Sequence, residues 1–468
     1  MAVVIKTFET PGGKYVYDRE MGSVLSVTDD EFLACKRVEK GEAQDADWQL
    51  LEKYKVQGYL KESKLKKIEH NATRYMKHHL NGHMSQMTLQ TNQTCNLRCS
   101  YCTYGGKYEH QRTHANKTMS IETIKKSVDF FMEHSRGVEE VTMSFYGGEA
   151  LLEIERIKAC VDYIKEAYKG KVVRYTITTN GTVINKEIID FLEKCDVGMV
   201  ISLDGPKEIH DINRVFEDGS GSFDKIMDNL QYIKEHHPEL FTRVRFLATI
   251  APGTDFSCVN EYFNVADIMG QDSMAYNMIN SYGSKENIVY DDLYSITYNF
   301  NYTKVLLSAL GLYDNNKISK LFHSHLLTVE RLYERLTKRP VYEIDHHGGP
   351  CLPGVMRPMV AVDGTILPCE RVNEESEIMK IGHIDTGFDM DKIDAMLNVG
   401  RLTDIECKTC WGFQHCGLCV SACDGGGSLS KKVKLNNCYL QLEDTLNNLK
   451  TICLLLENGY DFSKFNMA

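Results

Sequence analysis

The sequence lacks any uninterrupted apolar run of the roughly 20 residues that a bilayer-spanning helix needs. Its opening, Met1-Ala2-Val3-Val4-Ile5-Lys6, lacks the basic-then-apolar layout of a secretory signal. It also lacks a basic excess: the net charge is −11, whereas a nucleic-acid backbone calls for a basic face. These absences predict no membrane partner, no nucleic-acid partner and a cytoplasmic location. A chain of 468 residues, 43% hydrophobic and 25% charged, is globular in composition and too long for one ordinary core, so two or three domains are expected.

What the chain does have is cysteine, sixteen in all. In a reducing compartment such a count points to metal or redox chemistry rather than to disulfides. Cys35, Cys160, Cys195, Cys258 and Cys453 stand alone in periodic segments and read as small buried hydrophobes. The other eleven fall into two groups: Cys95, Cys99 and Cys102, then eight between Cys351 and Cys438.

Three blocks are legible along the chain. The first has short strand-like runs (Val3–Phe8, Tyr15–Tyr17, Val24–Val27). A helix then opens on the capping-box pattern Thr28-Asp29-Asp30-Glu31, and a second pattern covers Asp45–Tyr54. A small sheet with helices follows, with a winged-helix layout as one possibility. In the middle block, strand patterns at Met87–Thr91, Val141–Tyr146, Val172–Thr178, Met199–Leu203, Val244–Ile250 and Met274–Ile279 alternate with helical ones. The helical stretches are Ile121–His134, Leu151–Lys169, Lys186–Lys194, Phe223–His236 and Val259–Met269. Six strand–helix units predict a parallel α/β sheet, as an open doubly wound sheet or as a complete or partial barrel. Asp291–Lys338 reads as helix. The block from Gly348 to Cys438, rich in Gly and Cys with little periodicity, is expected to be held together by ligands more than by a core. A last helix is expected over Leu440–Glu457.

The first cysteine group has the spacing C-x3-C-x2-C, with no fourth cysteine near. Three thiolates on one loop can hold three irons of a [4Fe–4S] cube and leave the fourth open, as a catalytic cluster requires. A zinc site short of one ligand is the competing reading. The loop follows the first strand of the middle block. Three further polar signatures also follow strands: Gly147-Gly148-Glu149, Asn180-Gly181, and Ser202-Leu203-Asp204-Gly205. The C-terminal strand ends are the active-site face of parallel βα folds, so the four signatures share one rim. Gly147 and Gly148 suit close approach of a ligand to the backbone. The histidine pairs at 78–79, 236–237 and 346–347 read as surface or loop positions rather than metal ligands.

The cysteine loop, with Tyr101 just before Cys102, resembles the signature of the radical S-adenosylmethionine (SAM) superfamily. Gly147, Gly148 and Glu149 are similar to that family's motif for the SAM amino group. Ser202 and Asp204 fall where related enzymes contact the ribose or carboxylate, with Arg214 assisting at the carboxylate, while Asn180 on the same rim has the chemistry to bond hydroxyls or an amino-acid group. The resemblance spans roughly residues 86–281 and implies a partial (βα)6 barrel. It implies catalysis centred on Cys95, Cys99 and Cys102: SAM chelates the open iron and is cleaved to methionine and a 5′-deoxyadenosyl radical, which abstracts a substrate hydrogen.

The second group, Cys351, Cys369, Cys407, Cys410, Cys416, Cys419, Cys423 and Cys438, has enough thiolates for two clusters, or for two zinc sites. Its layout resembles the SPASM domain of radical SAM enzymes, which implies two auxiliary [4Fe–4S] clusters and three in all. By position, Cys407, Cys410, Cys416 and Cys438 take one. Cys351 and Cys369 take the other, completed by Cys419 and Cys423. Cys419 is additional to the commonest SPASM spacing, which leaves its role against that of Cys423 open.

The long N-terminal block resembles leader-recognition domains of peptide maturases, which add a precursor's leader as a strand. The segments 349–354, 362–372 and 410–419 resemble sactipeptide and ranthipeptide maturases of the freyrasin or subtilosin type. The division expected is a leader-recognition domain over 1–80, the barrel over 86–283, and a helical linker over 284–347. A SPASM domain over 348–440 and a C-terminal helix over 441–468 complete it. The activity implied is thioether formation between a cysteine sulfur and a carbon of one precursor peptide, with a flavodoxin- or ferredoxin-like electron donor. The alternatives are a sulfatase-type formylglycine maturase, a maturase forming C–C links, and a non-catalytic zinc-binding peptide scaffold.

Overall fold

The computed structural model describes residues 3–265, 274–336, 340–349 and 351–464. The end of the helix expected up to Met269, the last residues of the one expected up to Lys338, Pro350 and the last four residues lie outside that description.

The N-terminal block opens with an antiparallel sheet of β1 (Ile5–Glu9), β2 (Lys14–Asp18) and β3 (Ser23–Val27), in that order. Consecutive residues of β2 point to opposite faces, and both are buried, in different cores. Val16 packs with Ala34, Cys35, Val38 and Leu51, while Tyr17 packs with Leu449, Ile452 and Cys453 near the far end of the chain. The helix Asp29–Lys40 starts on the expected capping box, with Thr28 as N-cap and Glu31 answering it, and stops at Gly41 in the left-handed conformation. The single helix expected over Asp45–Tyr54 is instead two short ones, Asp45–Leu50 and Glu52–Val56, broken at Leu51. β4 (Lys67–Ile68) pairs in parallel with β11 (Ile344–Asp345).

The middle block is six parallel strands in sequential order: β5 (Gln86–Gln90), β6 (Glu140–Tyr146), β7 (Val172–Thr179), β8 (Val197–Ser202), β9 (Val244–Ile250) and β10 (Met274–Met278). A doubly wound sheet reverses its strand order at a switch point. This one does not, which decides for the partial barrel. The sheet continues beyond β5 into β12 (Met359–Val360), parallel to it, and then into β13 (Thr365–Leu367), β14 (Gly382–His383) and β15 (Gly387–Phe388).

That continuation corrects one expectation. The cysteine-rich block does have an apolar core, since Met359, Ile366, Val372, Met379, Ile381, Met396 and Leu418 join the barrel's own cluster. Its apolar residues are spread thinly along the chain because they pack on a sheet that already exists. The stretch 291–338 holds two helices, Asp292–Ala309 and His323–Arg335. The last helix is Lys431–Glu457, so it starts earlier than expected, carries Cys438, and runs through the expected boundary at 440. Among the lone cysteines, Cys258 is exposed, against expectation, while Cys35, Cys160, Cys195 and Cys453 are buried. His346 and His347 lie in coil but are buried, with Gly400 N donating to His346 Nε2 at 2.9 Å.

Candidate functional site

The site is built where β5 to β8 end. The chain leaving β5 is laced to the end of β6: Thr91 N donates to Tyr146 O at 2.9 Å, Gly148 N to Asn92 Oδ1 at 3.1 Å, and Glu149 N to Thr94 O at 2.8 Å. This contact is why glycine is required there. A Cβ on Gly147 would lie 2.6 Å from Asn92 O, and one on Gly148 would lie 2.1 Å from Thr94 O. The close approach foreseen for a ligand is thus made by the chain itself, by the segment that delivers Cys95. On its other side the cysteine loop is held by Arg98 N to Val215 O at 2.7 Å and Ser100 N to Asn213 O at 2.9 Å.

Cys95, Cys99 and Cys102 lie near one another, since Cys99 and Cys102 both raise the Cys95 thiol and Cys102 raises that of Cys99. Burial pushes Cys95 up to about 12, with Cys99 and Cys102 adding to the shift. Burial likewise pushes Cys99 up to about 11, against the pull of the Arg214 guanidinium. Buried thiols of this kind hold their protons until a cationic group replaces them, which suits ligands that are deprotonated on loading. Among the described residues, no three His, Cys, Asp or Glu side chains converge tightly enough for a single metal ion. Three buried thiols on one loop are a donor set that fits an iron–sulfur cube, for which thiolate is the usual ligand.

Around this loop the other rim residues form a frame. Asn180 Nδ2 stands 3.9 Å from Cys95 Sγ and donates to Asn96 Oδ1 at 2.9 Å. Glu149 is 1% exposed and accepts from Asn180 N and Thr179 Oγ1, both at 2.7 Å, and from Leu151 N at 3.0 Å. Burial raises its carboxyl even so. Asp204 is also 1% exposed. It accepts from the Tyr101 hydroxyl, from Arg214 Nε at 2.9 Å and from Thr249 N at 2.8 Å. Its carboxylate therefore ties Tyr101, beside the cysteines, to β9 and to Arg214. Gly205 follows at φ 144°, a conformation that side chains resist. Ser202, at the end of β8, is partly buried on the same rim.

The thiols of the second group lie near one another. Cys407, Cys416 and Cys438 each raise the Cys410 thiol, which burial has already pushed to about 12. Cys407 and Cys438 do the same to Cys416, raised to about 11. The charge of Cys419 adds to the effect of burial on both Cys369 and Cys423, and Cys438 and Cys416 raise Cys423 as well, so the two sets of four adjoin. Gly349 is pressed against the backbone of Gly417 and Leu418, where a Cβ would come within 2.7 Å. Cys419 and Cys351 are exposed, whereas Cys423 is fully buried.

The sequence reading missed the residues that back the loop. His114 Nε2 lies 3.6 Å from Cys102 Sγ, and the buried Arg112 stacks 3.6 Å over the Tyr104 ring. Arg112 is paired with Glu374 of the cysteine-rich block, Nε to Oε2, at 2.9 Å. Neither motif nor periodicity marks them, because the partner is more than 250 residues away.

Comparison with known proteins agrees with this geometry. Residues 89–264 match the Radical SAM superfamily. A serine-type anaerobic sulfatase-maturating enzyme of Bacteroides thetaiotaomicron is 31% identical over 146 residues, 31% of this chain and 35% of that one. The antilisterial bacteriocin subtilosin biosynthesis protein AlbA of Bacillus subtilis is 26% identical over 206 residues, 43% of this chain and 41% of that one. The chain spans between about a third and just under two thirds of the length of such curated relatives. The structure of native anSMEcpe with bound AdoMet superposes with a TM-score of 0.57 at 20% identity, over 78% of this chain and 99% of that one, a likeness of fold.

Proposed function

Because residues 89–264 are a radical SAM domain, we propose that this chain is a peptide maturase that joins a cysteine sulfur of a ribosomally made precursor to a carbon of the same peptide. Cys95, Cys99 and Cys102 would hold the catalytic [4Fe–4S] cluster, whose open iron, with SAM, supplies the radical chemistry. Gly147, Gly148, Glu149, Asn180, Ser202, Asp204, Arg214 and Tyr101 form the rim on which SAM would lie. Of these, Glu149 and Asp204 act by holding the rim together, since their carboxylates are already taken up by the protein. Cys407, Cys410, Cys416 and Cys438 would hold one auxiliary cluster, and Cys351, Cys369, Cys419 and Cys423 the other. Two auxiliary clusters near the substrate give a place for the electron that C–S bond formation releases. An external flavodoxin- or ferredoxin-like protein would supply the electron that starts the cycle.

The observation that carries the peptide reading is the N-terminal sheet. Among the described residues β3 pairs with β2 alone, and an edge of this kind can accept a leader peptide as a further strand. On this reading residues 1–80 recognise the leader, 86–283 form the barrel, 284–347 link it to a SPASM domain over 348–440, and 441–468 close the chain.

The similarity to sulfatase-maturating enzymes supports a second reading, oxidation of a cysteine or serine to formylglycine. Mass spectrometry of a co-expressed Cys-rich precursor separates the two. A thioether removes two hydrogens and leaves the cysteine unable to react with iodoacetamide, whereas formylglycine shows an aldehyde. A C–C link removes two hydrogens and leaves the thiol reactive. An aldehyde or a reactive thiol in the matured peptide would refute the thioether proposal.

A further inference from the structure

Arg112 is the least explained charge near the cysteine loop. It is 5% exposed and lies on the segment that returns past that loop, where Gly105 N donates to Cys102 O at 2.9 Å and His114 N to Tyr104 O at 3.1 Å. Its guanidinium is fixed from three sides: Nε on Glu374 Oε2 at 2.9 Å, Nη1 on Thr113 O at 3.3 Å, and the Tyr104 ring 3.6 Å beneath. Nη2 is buried and has no partner among the described residues. An orphaned guanidinium N–H in the interior is costly, so a donor left in this state implies an acceptor that the polypeptide does not provide. Tyr104, on which Arg112 stacks, is two residues past Cys102, and His114, two residues past Arg112, approaches Cys102 Sγ with Nε2 at 3.6 Å.

We propose that Arg112, through Nη2, is a positioning residue that directs a positive N–H toward the catalytic cluster at its Cys102 corner and raises the cluster's reduction potential, with Glu374 moderating that effect. Hydrogen bonds to cluster sulfurs and positive charge nearby both favour the more negative, reduced form. Burial strengthens the effect, because little water screens it.

Glu374 gives this arrangement its reach. It stands five residues after Cys369, and its Oε1 accepts from Gln90 Nε2, at the end of β5, at 2.7 Å. Its backbone N donates to Gln111 Oε1 at 3.1 Å. A carboxylate of the cysteine-rich block therefore partly neutralises the cation beside the radical SAM loop. The two halves of the molecule then share one electrostatic setting for the first electron transfer.

The inference rests on assigning Cys95, Cys99 and Cys102 to a cluster, and its test keeps the two apart. Anaerobically reconstituted full-length protein is titrated by potential with EPR detection, following the reduced signal that changes when SAM is added. The expected result is that Arg112→Gln lowers that midpoint, Glu374→Gln raises it, and Arg112→Lys falls between Arg112→Gln and the unmodified protein. General structural damage would not move Arg112→Gln and Glu374→Gln in opposite directions. Shifts of one sign in both, or no shift with iron content retained, overturn the inference and leave the cluster standing. If Arg112→Gln does not fold, Glu374→Gln decides alone: an upward shift supports the inference, and any other result overturns it. An unmodified protein with no SAM-responsive signal removes the cluster assignment itself, and this inference with it.

Discussion

Arg19, just past β2 of the N-terminal sheet, donates from Nη1 to Lys408 O at 2.7 Å and to Cys410 O at 3.2 Å, within the cysteine-rich block. It is fully buried, and it pairs with Glu20, which is buried as well. Tyr17 adds a hydrogen bond to Gln414 at 3.0 Å. The proposed leader-binding sheet is thus fastened directly to the loop proposed to hold an auxiliary cluster.

Replacing Arg19 with Ala removes this fastening and leaves Glu20 as an unpaired buried charge. Breaking a buried pair in this way costs about 3–5 kcal/mol. Thermal unfolding should show a destabilisation of that size, and iron analysis a loss confined to the auxiliary share. Unchanged stability would contradict the buried clamp.

Gly148→Ala puts a methyl group against Thr94 O and the Cys95 amide. The chain before Cys95 must then move, and Gly148→Ala protein should bind less iron while retaining its secondary structure. The check is iron per chain after anaerobic reconstitution, beside circular dichroism. Full iron content would mean that the contact is slack.

Cys99→Ala should abolish deoxyadenosine production, because two thiolates cannot anchor the cube, yet leave leader binding by the N-terminal sheet nearly intact. Chromatography of the nucleoside products and fluorescence anisotropy of a labelled leader peptide read the two separately. Deoxyadenosine formed at the normal rate would falsify the catalytic assignment.

Acid should destabilise the fold through histidines kept neutral inside it. Burial lowers His210 to about 4 and His346 to about 3, from an ordinary value near 6.5. With folded values depressed, the unfolded chain takes up protons first. The stability is whole above about pH 6.5 and falls as the pH drops toward 4 and then 3. His210→Gln should flatten part of the decline in urea-unfolding stability between pH 6.5 and 4; an unchanged slope would exclude His210 as a source.

Local chemistry wrote much of this protein into its sequence. Period-two and helical patterns placed all six barrel strands to within two residues at each end, because each strand buries its own residues against a neighbour formed the same way. The spacing of Cys95, Cys99 and Cys102 placed three thiols on one loop, and the rim signatures followed from where parallel strands end. The helix at Thr28 was legible from its cap alone.

Tertiary structure decided what depends on distant partners. Sequential strand order, rather than a reversal, selected the barrel, and no residue pattern encodes that order. The cysteine-rich block looked coreless because its apolar residues join the barrel's core through the sheet that continues from β5. Val16 and Tyr17 read as an unbroken run because each face of their strand meets a different core, one of them supplied by residues near 450. Arg112 carries no sequence signal at all, and its role depends on Glu374, which only the fold brings beside it. Periodicity reports an element's own burial, but pairing across hundreds of residues exists only once the chain has closed on itself.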